Sequence, residues 1–266
     1  MRKSPVTGTD FVSNLMAGGV YFFTTEQARK EFKTSAKATI ALLWRLKGKG
    51  LINTPHRGFH VIVPPEYRAF SCLPAEEFVP DLMVHLKTPY YVGLLSAAQF
   101  HGAAHQKPQY FQVIVPKNRS LIECGRVRVS FIARRNLQKI PVETRNTPRG
   151  VLHLSTPEGT ALDLVTYPEH AGGFGNVATV LLELSEKMQP KLLVKTARQA
   201  SVMPYVQRLG YLLDRLKLKD LAAPLAEYVA LRAQIITPLI PSLPKEGMPK
   251  NAKWKLIINS EIEADL

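Results

Sequence analysis

Between Thr24 and Val63 the chain reads TTEQARKEFKTSAKATIALLWRLKGKGLINTPHRGFHVIV, and its apolar positions change period along the way. Ala28 and Phe32 share one helical face, and Thr24 with Gln27 three residues on has capping-box spacing. Thr34 or Ser35 opens the next helix, in which Ile40, Leu43 and Leu46 recur at helical spacing and predict the buried stripe. Gly48 and Gly50 end it. Leu51-Ile52 and Phe59–Val63 then flank TPHRG as two strands around a turn, and Pro64-Pro65 stops the second. Phe11 to Gly18 precedes all of this as a short helix.

Two short amphipathic helices followed by a basic hairpin fit a winged helix-turn-helix over residues 1–70. In such a layout the N-terminal turns of the second helix reach base edges and the hairpin meets the backbone. The expected DNA-contacting residues are Thr34, Ser35, Lys37, Thr39 and Arg45 on the helix, with Arg57 and His60 on the wing. Arg29 and Lys33 on the preceding helix are expected to position phosphates. The alternative is a winged helix used for protein contacts.

Beyond the wing, residues 71–88 predict a linker helix, Ala75 to Leu86. Tyr91 to His101 predicts a helix ended by Gly102. Strands are expected at Tyr110–Pro116, Arg126–Ala133, Val142–Thr144 and Val151–Leu154. Thr156-Pro157 opens a helix with Thr at the N-cap and Pro in the first turn. After the Gly-rich run Ala171–Gly175, read as an inter-helix loop, helices are expected at Asn176–Lys187, Pro190–Ala200, Pro204–Lys217 and Leu221–Gln234. A strand-like tail follows at Lys255–Asn259. The organisation is α+β: a domain at 1–70, a linker helix at 71–88, and a C-terminal domain at 89–266. That last domain holds a sheet region to about 165, a helical bundle from about 176 to 234, and the tail.

Charge sharpens this picture. The 266 residues carry a net charge of +14, concentrated toward the N-terminus: +7 in residues 1–70, +5 in 71–160 and +2 thereafter. A surplus of that size points to a polyanion or an acidic partner. Residues 117–149 hold nine Lys/Arg against Glu123 and Glu143. Within them Arg126, Arg128, Arg134 and Arg135 define a candidate second basic surface. It reads equally as a DNA-backbone contact, a dock for an acidic protein, or a solvated strand face.

Enzyme signatures are missing: no GxSxG, no P-loop, no CxxC, and no Gly-Ser with a spaced Asp pair of the kind a nucleotidyltransferase needs. No catalytic residue is expected. Asp163 reads as a buried helix partner, not a base. His101 and His105 are four apart, but Gly102 breaks the helix between them, and no metal site is expected. No cofactor is expected. Cys72 and Cys124 suggest neither a disulfide framework nor zinc, and a reduced compartment is the default. The opening MRKSPVTGTDF lacks a signal-peptide apolar run, and no stretch is long and apolar enough to span a membrane. The expectation is a cytoplasmic protein.

Several segments, in this order, resemble the AbiEi family of antitoxins from bacterial type IV toxin–antitoxin systems. They are TTEQARKEF with ALLWRLKGKGLINTPHRGFHVIVP, then YYVGLLSAAQFHGAAHQKPQ before FQVIVPKNR, then VLHLSTPEGTALDLVTYP, and KWKLIINSEIEADL. The resemblance implies an N-terminal domain that binds inverted repeats in its own promoter and represses the operon. It implies a remainder that counters a cognate AbiEii-type toxin, a nucleotidyltransferase. That toxin is a functional partner, with no stable complex expected. The resemblance also implies a C-terminal fold like a nucleotidyltransferase without its catalytic residues. A competing reading is a stand-alone winged-helix transcription factor whose C-terminal region senses a ligand or binds a protein. With no heptad seam, a monomer that pairs on DNA is expected over an obligate dimer.

Overall fold

The computed structural model describes residues 7–103, 108–200 and 202–262; His105 lies outside them. In chain order the elements begin α1 (Gly8–Ala17), β1 (Phe22–Thr24), α2 (Thr25–Phe32), α3 (Ala36–Gly48), β2 (Ile52–His56) and β3 (Phe59–Ile62). Then come α4 (Ala75–His85), β4 (Tyr91–Val92), α5 (Leu94–Phe100), β5 (Phe111–Val115), β6 (Ile122–Cys124), β7 (Val127–Ala133), β8 (Val142–Thr147) and β9 (Gly150–Ser155). The remainder is α6 (Pro157–Thr166), α7 (Gly173–Leu184), α8 (Pro190–Ala200), α9 (Met203–Arg215), α10 (Lys219–Arg232), β10 (Thr237–Pro238), β11 (Lys250–Asn251) and β12 (Leu256–Ile257). The fold is mixed α+β, and no helix among the described residues is long and apolar enough to cross a membrane.

The chain divides into two compact units. The first runs up to Tyr90 and takes in Gln109–Ala133 and Thr144–His153; the second holds Tyr91–Pro108, Arg134–Glu143 and everything from Leu154.

In the first unit, β1 pairs with β3 and β3 with β2, all antiparallel, in the order β1-β3-β2. Phe11, Val12, Phe23, Ala28, Leu43, Leu46, Ile52 and Ile62 form the core beneath α1, α2 and α3. β3 is covered on both faces: Phe59 and Val61 enter a second core, with Phe78, Val79, Leu82, Val113, Val115 and Val129. Successive strand residues point to opposite faces, so a strand shared by two cores reads as unbroken apolar sequence, and FHVI nearly does. α4 belongs to that second core through Phe78, Val79, Leu82 and Met83, so the stretch expected as a linker helix is interior structure. β5 runs parallel to β7, and β6, a strand missing from the expected set, pairs antiparallel with β7.

The second unit is built around α6, in which every residue from Glu158 to Val165 is buried. Thr156 caps it by accepting from the Gly159 backbone N–H, and Pro157 occupies the first turn, as the sequence predicts. α5, α7, α8 and α9 pack around it. The expected helix from Tyr91 to His101 is divided. Tyr91–Val92 is a strand paired parallel with β9, Gly93 is extended, and the helix starts only at Leu94. The Gly-rich run is partly helical too, since Gly172 in the left-handed region caps α7. β12 lies between β10 and β11 at the tail. Trp254 is fully buried there against Gly210 of α9, where any side chain would collide with its ring.

Candidate nucleic-acid interface

Local capping fixes the geometry of α2 and α3. The Thr24 hydroxyl accepts from the Gln27 N–H at 3.2 Å and the Gln27 carboxamide oxygen accepts from the Thr24 N–H at 2.7 Å, a reciprocal capping box. Lys33 ends α2 in the left-handed region. Ser35 opens α3, its hydroxyl accepting from the Ala38 N–H at 3.2 Å. The Thr25 N–H donates to the Gly58 carbonyl at 3.0 Å, fastening the start of α2 to the turn between β2 and β3.

Over this surface Arg29, Lys30, Lys33, Lys37, Arg45, Lys47, Lys49 and Arg57 are all exposed, against exposed Glu26 and Glu31. Glu26 lies 3.8 Å from Arg29. Thr34 is exposed, its hydroxyl 2.9 Å from that of Thr39. Arg45 donates from Nε to the Ala41 carbonyl at 3.3 Å and stays exposed. Arg57 stands at the hairpin tip beside Gly58, whose φ of 81° needs glycine.

Two expected contacts are corrected. Thr39 is wholly buried: it donates to the Ser35 carbonyl at 3.0 Å and joins Leu43 and Leu46 in the helix's inner stripe. His60 is 6% exposed, because it shares the inward face of β3 with Ile62. Its ring nitrogens meet the Thr25 hydroxyl at 2.8 Å and the Thr54 hydroxyl at 3.0 Å, and it stacks on Phe23. Burial, and secondarily the charge of Lys47, lower its pKa to about 4. It is a neutral interior residue and cannot reach a phosphate. The inner stripe is also corrected: Ile40, expected inside, is 58% exposed, and Trp44 one turn on is 78% exposed. Thr39 fills the inner position that the apolar pattern assigns to Ile40.

The second basic surface is thinner than its sequence suggests. Arg134 is not on it. Its guanidinium donates at 2.7 Å to Asp163, a carboxylate fully buried in α6, and that oxygen also accepts from the Tyr91 hydroxyl at 3.3 Å. Burial pushes the Asp163 carboxyl up to about 6 against the pull of Arg134, and its other oxygen has no hydrogen-bond partner among the described residues. Asp163 is thus the helix partner that the sequence indicates. Arg149 is likewise absorbed: it stacks 3.4 Å above the Tyr21 ring and donates to Glu77, which also accepts from the Tyr67 hydroxyl. Arg128 remains exposed but pairs with Glu123 at 3.3 Å. Arg126 and Arg135 are exposed. His101 lies 2.8 Å from the Ser155 carbonyl. Among the described residues no group of three His, Cys, Asp or Glu could hold a metal ion.

In comparisons with known proteins, no curated protein matches the chain. Among solved structures, the crystal structure of the RV2827C protein from Mycobacterium tuberculosis is similar at a TM-score of 0.66. The likeness covers 97% of this chain and 92% of that chain at 16% identity, and it bears on the fold alone. A solution structure of the antibiotic-resistance factor ANT(2'')-Ia aligns with 57% of this chain and 90% of that chain at 11% identity. Its TM-score of 0.26 is too low to support an argument. The model of the AbiEi antitoxin C-terminal domain matches residues 91–215, so that region of the chain is similar to the AbiEi antitoxins.

Proposed function

We propose that the chain is a DNA-binding autorepressor and antitoxin. The observation that carries the DNA half is the order α1-β1-α2-α3-β2-β3, closed by the sheet β1-β3-β2 and bearing eight exposed Lys/Arg against two Glu over α2, α3 and the hairpin. That order is that of a winged helix-turn-helix: α3 is the helix that enters the major groove, and the β2–β3 hairpin is the wing. Thr34, Ser35, Lys37 and Arg45 meet DNA from α3 and its cap. Arg57 clamps a phosphate from the wing, and Arg29 and Lys33 position the backbone. Thr39 and His60 hold the domain together from inside.

The likeness of residues 91–215 to the AbiEi antitoxin C-terminal domain supports the other half, in which that region counters a cognate nucleotidyltransferase toxin functionally. A nucleotidyltransferase-like scaffold for that region rests on family resemblance. The test is a reporter driven by the chain's own upstream DNA together with co-expression of the toxin. Lys37→Ala with Arg57→Ala relieves repression and leaves toxin neutralisation intact. Repression unchanged by the double variant would remove the DNA half, and toxicity unrelieved by the wild-type chain would remove the other.

One observation favours a second reading, a ligand-sensing C-terminal region. An open cavity of about 580 Å³ in the second unit is lined by Ser185, Met188, Pro190, Lys217, Leu218 and Leu221. Filling it with Leu218→Trp changes repression if a ligand acts there and leaves repression unchanged if none does.

A further inference from the structure

The outward face of α3 carries an apolar pair that the basic charge does not explain. Lys37, Ile40, Ala41 and Trp44 lie opposite the buried stripe of Thr39, Leu43 and Leu46. Ile40 is 58% exposed and Trp44 78%, the latter the greatest exposure of any large apolar side chain among the described residues of the first unit. Exposed single apolar residues are ordinary. These two stand one turn apart on one helix, which also carries exposed Lys37, Arg45 and Lys47. That positive charge fits a polyanion and repels a second copy of the same helix. The single apolar group on the major-groove edge of a DNA base pair is the C5 methyl of thymine.

We infer that Ile40 and Trp44 are sequence-reading residues, contacting thymine methyl groups in the major groove, so that the DNA recognised carries thymines at fixed places in each half-site. The inference rests on the DNA-binding reading above. Four residues of helix advance about 6 Å, close to two base steps of about 3.4 Å. The two methyl contacts therefore fall about two base pairs apart. The surrounding Lys and Arg supply affinity without sequence preference, and the apolar pair supplies discrimination.

The experiment uses the full chain and duplexes selected by it from a randomised library. In the selected duplex each thymine is replaced singly by deoxyuridine, which removes only the methyl. The expected result is a loss of about fourfold at one or two positions per half-site, what one buried methyl group is worth. At one such position Ile40→Ala brings the thymine-to-uracil ratio toward one, and Trp44→Ala does so at the other. Arg57→Ala weakens thymine and uracil duplexes alike. Both apolar residues are exposed, so these variants keep the wild-type circular dichroism spectrum. A sequence-selective chain indifferent to every uracil replacement would overturn the inference and leave the DNA-binding reading standing. A chain that selects no sequence would overturn both. Trp44→Ala that alters self-association and leaves DNA discrimination unchanged would overturn the inference and assign the face to contacts between copies.

Discussion

His60 and Asp163 are both ionisable groups enclosed by the fold, and burial works on them in opposite directions. Burial keeps His60 neutral, with its pKa lowered from 6.5 to about 4. The unfolded chain therefore takes up that proton first as pH falls. The stability His60 contributes is complete above pH 6.5 and is lost progressively toward pH 4. Asp163 is raised from 3.8 to about 6, so the fold favours its protonated form and its contribution falls as pH rises through that interval. The two partly cancel in the whole chain, which makes the variant the informative measurement. Urea unfolding of His60→Asn and the wild type at several pH values should give a stability difference that is largest above pH 6.5 and shrinks by roughly 2 kcal/mol toward pH 4. A pH-independent difference would show that His60 is not held neutral. Asp163→Asn leaves the Arg134 guanidinium, 10% exposed, without its countercharge, and should cost roughly 3–5 kcal/mol. Adding Arg134→Met should recover much of that loss in the same unfolding assay, because a buried pair replaced as a whole costs less than one broken.

Among the elements, those governed by short-range rules were legible from sequence. The Thr24–Gln27 capping box, the Ser35 cap and the Thr156-Pro157 start of α6 formed as their spacing predicts, and the expected hairpin formed with a shorter turn, since Thr54, Pro55 and His56, expected in the turn, belong to β2. What failed to show depends on partners far along the chain. Arg134 and Arg149 read as surface charge because Asp163 and Glu77 lie 29 and 72 residues away. His60 read as a wing residue because the two cores that cover β3 are assembled from residues far from it along the chain. Ile40 took the place of Thr39 in the apolar stripe because a small threonine that satisfies its own hydroxyl on the Ser35 carbonyl packs like an apolar residue. The same long-range logic governs α9. Gly210 looks dispensable in a helix, where alanine is ordinarily preferred. Its missing side chain instead admits Trp254 from 44 residues on, whose indole N–H donates to Asp214 at 3.1 Å. Gly210→Ala should therefore destabilise by roughly 1–3 kcal/mol through overpacking. A lowered melting temperature with red-shifted tryptophan emission would report it; unchanged stability would mean the tail repacks freely.

For the whole molecule, the uneven charge matters most. Of the net +14, half lies in the first 70 residues, where α3 and the hairpin present it to solvent. Each phosphate neutralised steepens the salt dependence of binding by about 0.9 in the logarithmic slope. Arg57→Ala should remove about one such unit and weaken every sequence alike. Binding as pairs on an inverted repeat places the half-sites about 10.5 base pairs apart or at a multiple of that. The direct test is a titration of the chain against its own upstream DNA and a shuffled duplex of equal length, across about 50–200 mM salt. The account predicts two-step binding to the upstream DNA with a preference that survives at the highest salt. Equal, salt-sensitive binding to both duplexes would contradict it, because it would reduce the basic face to non-specific attraction.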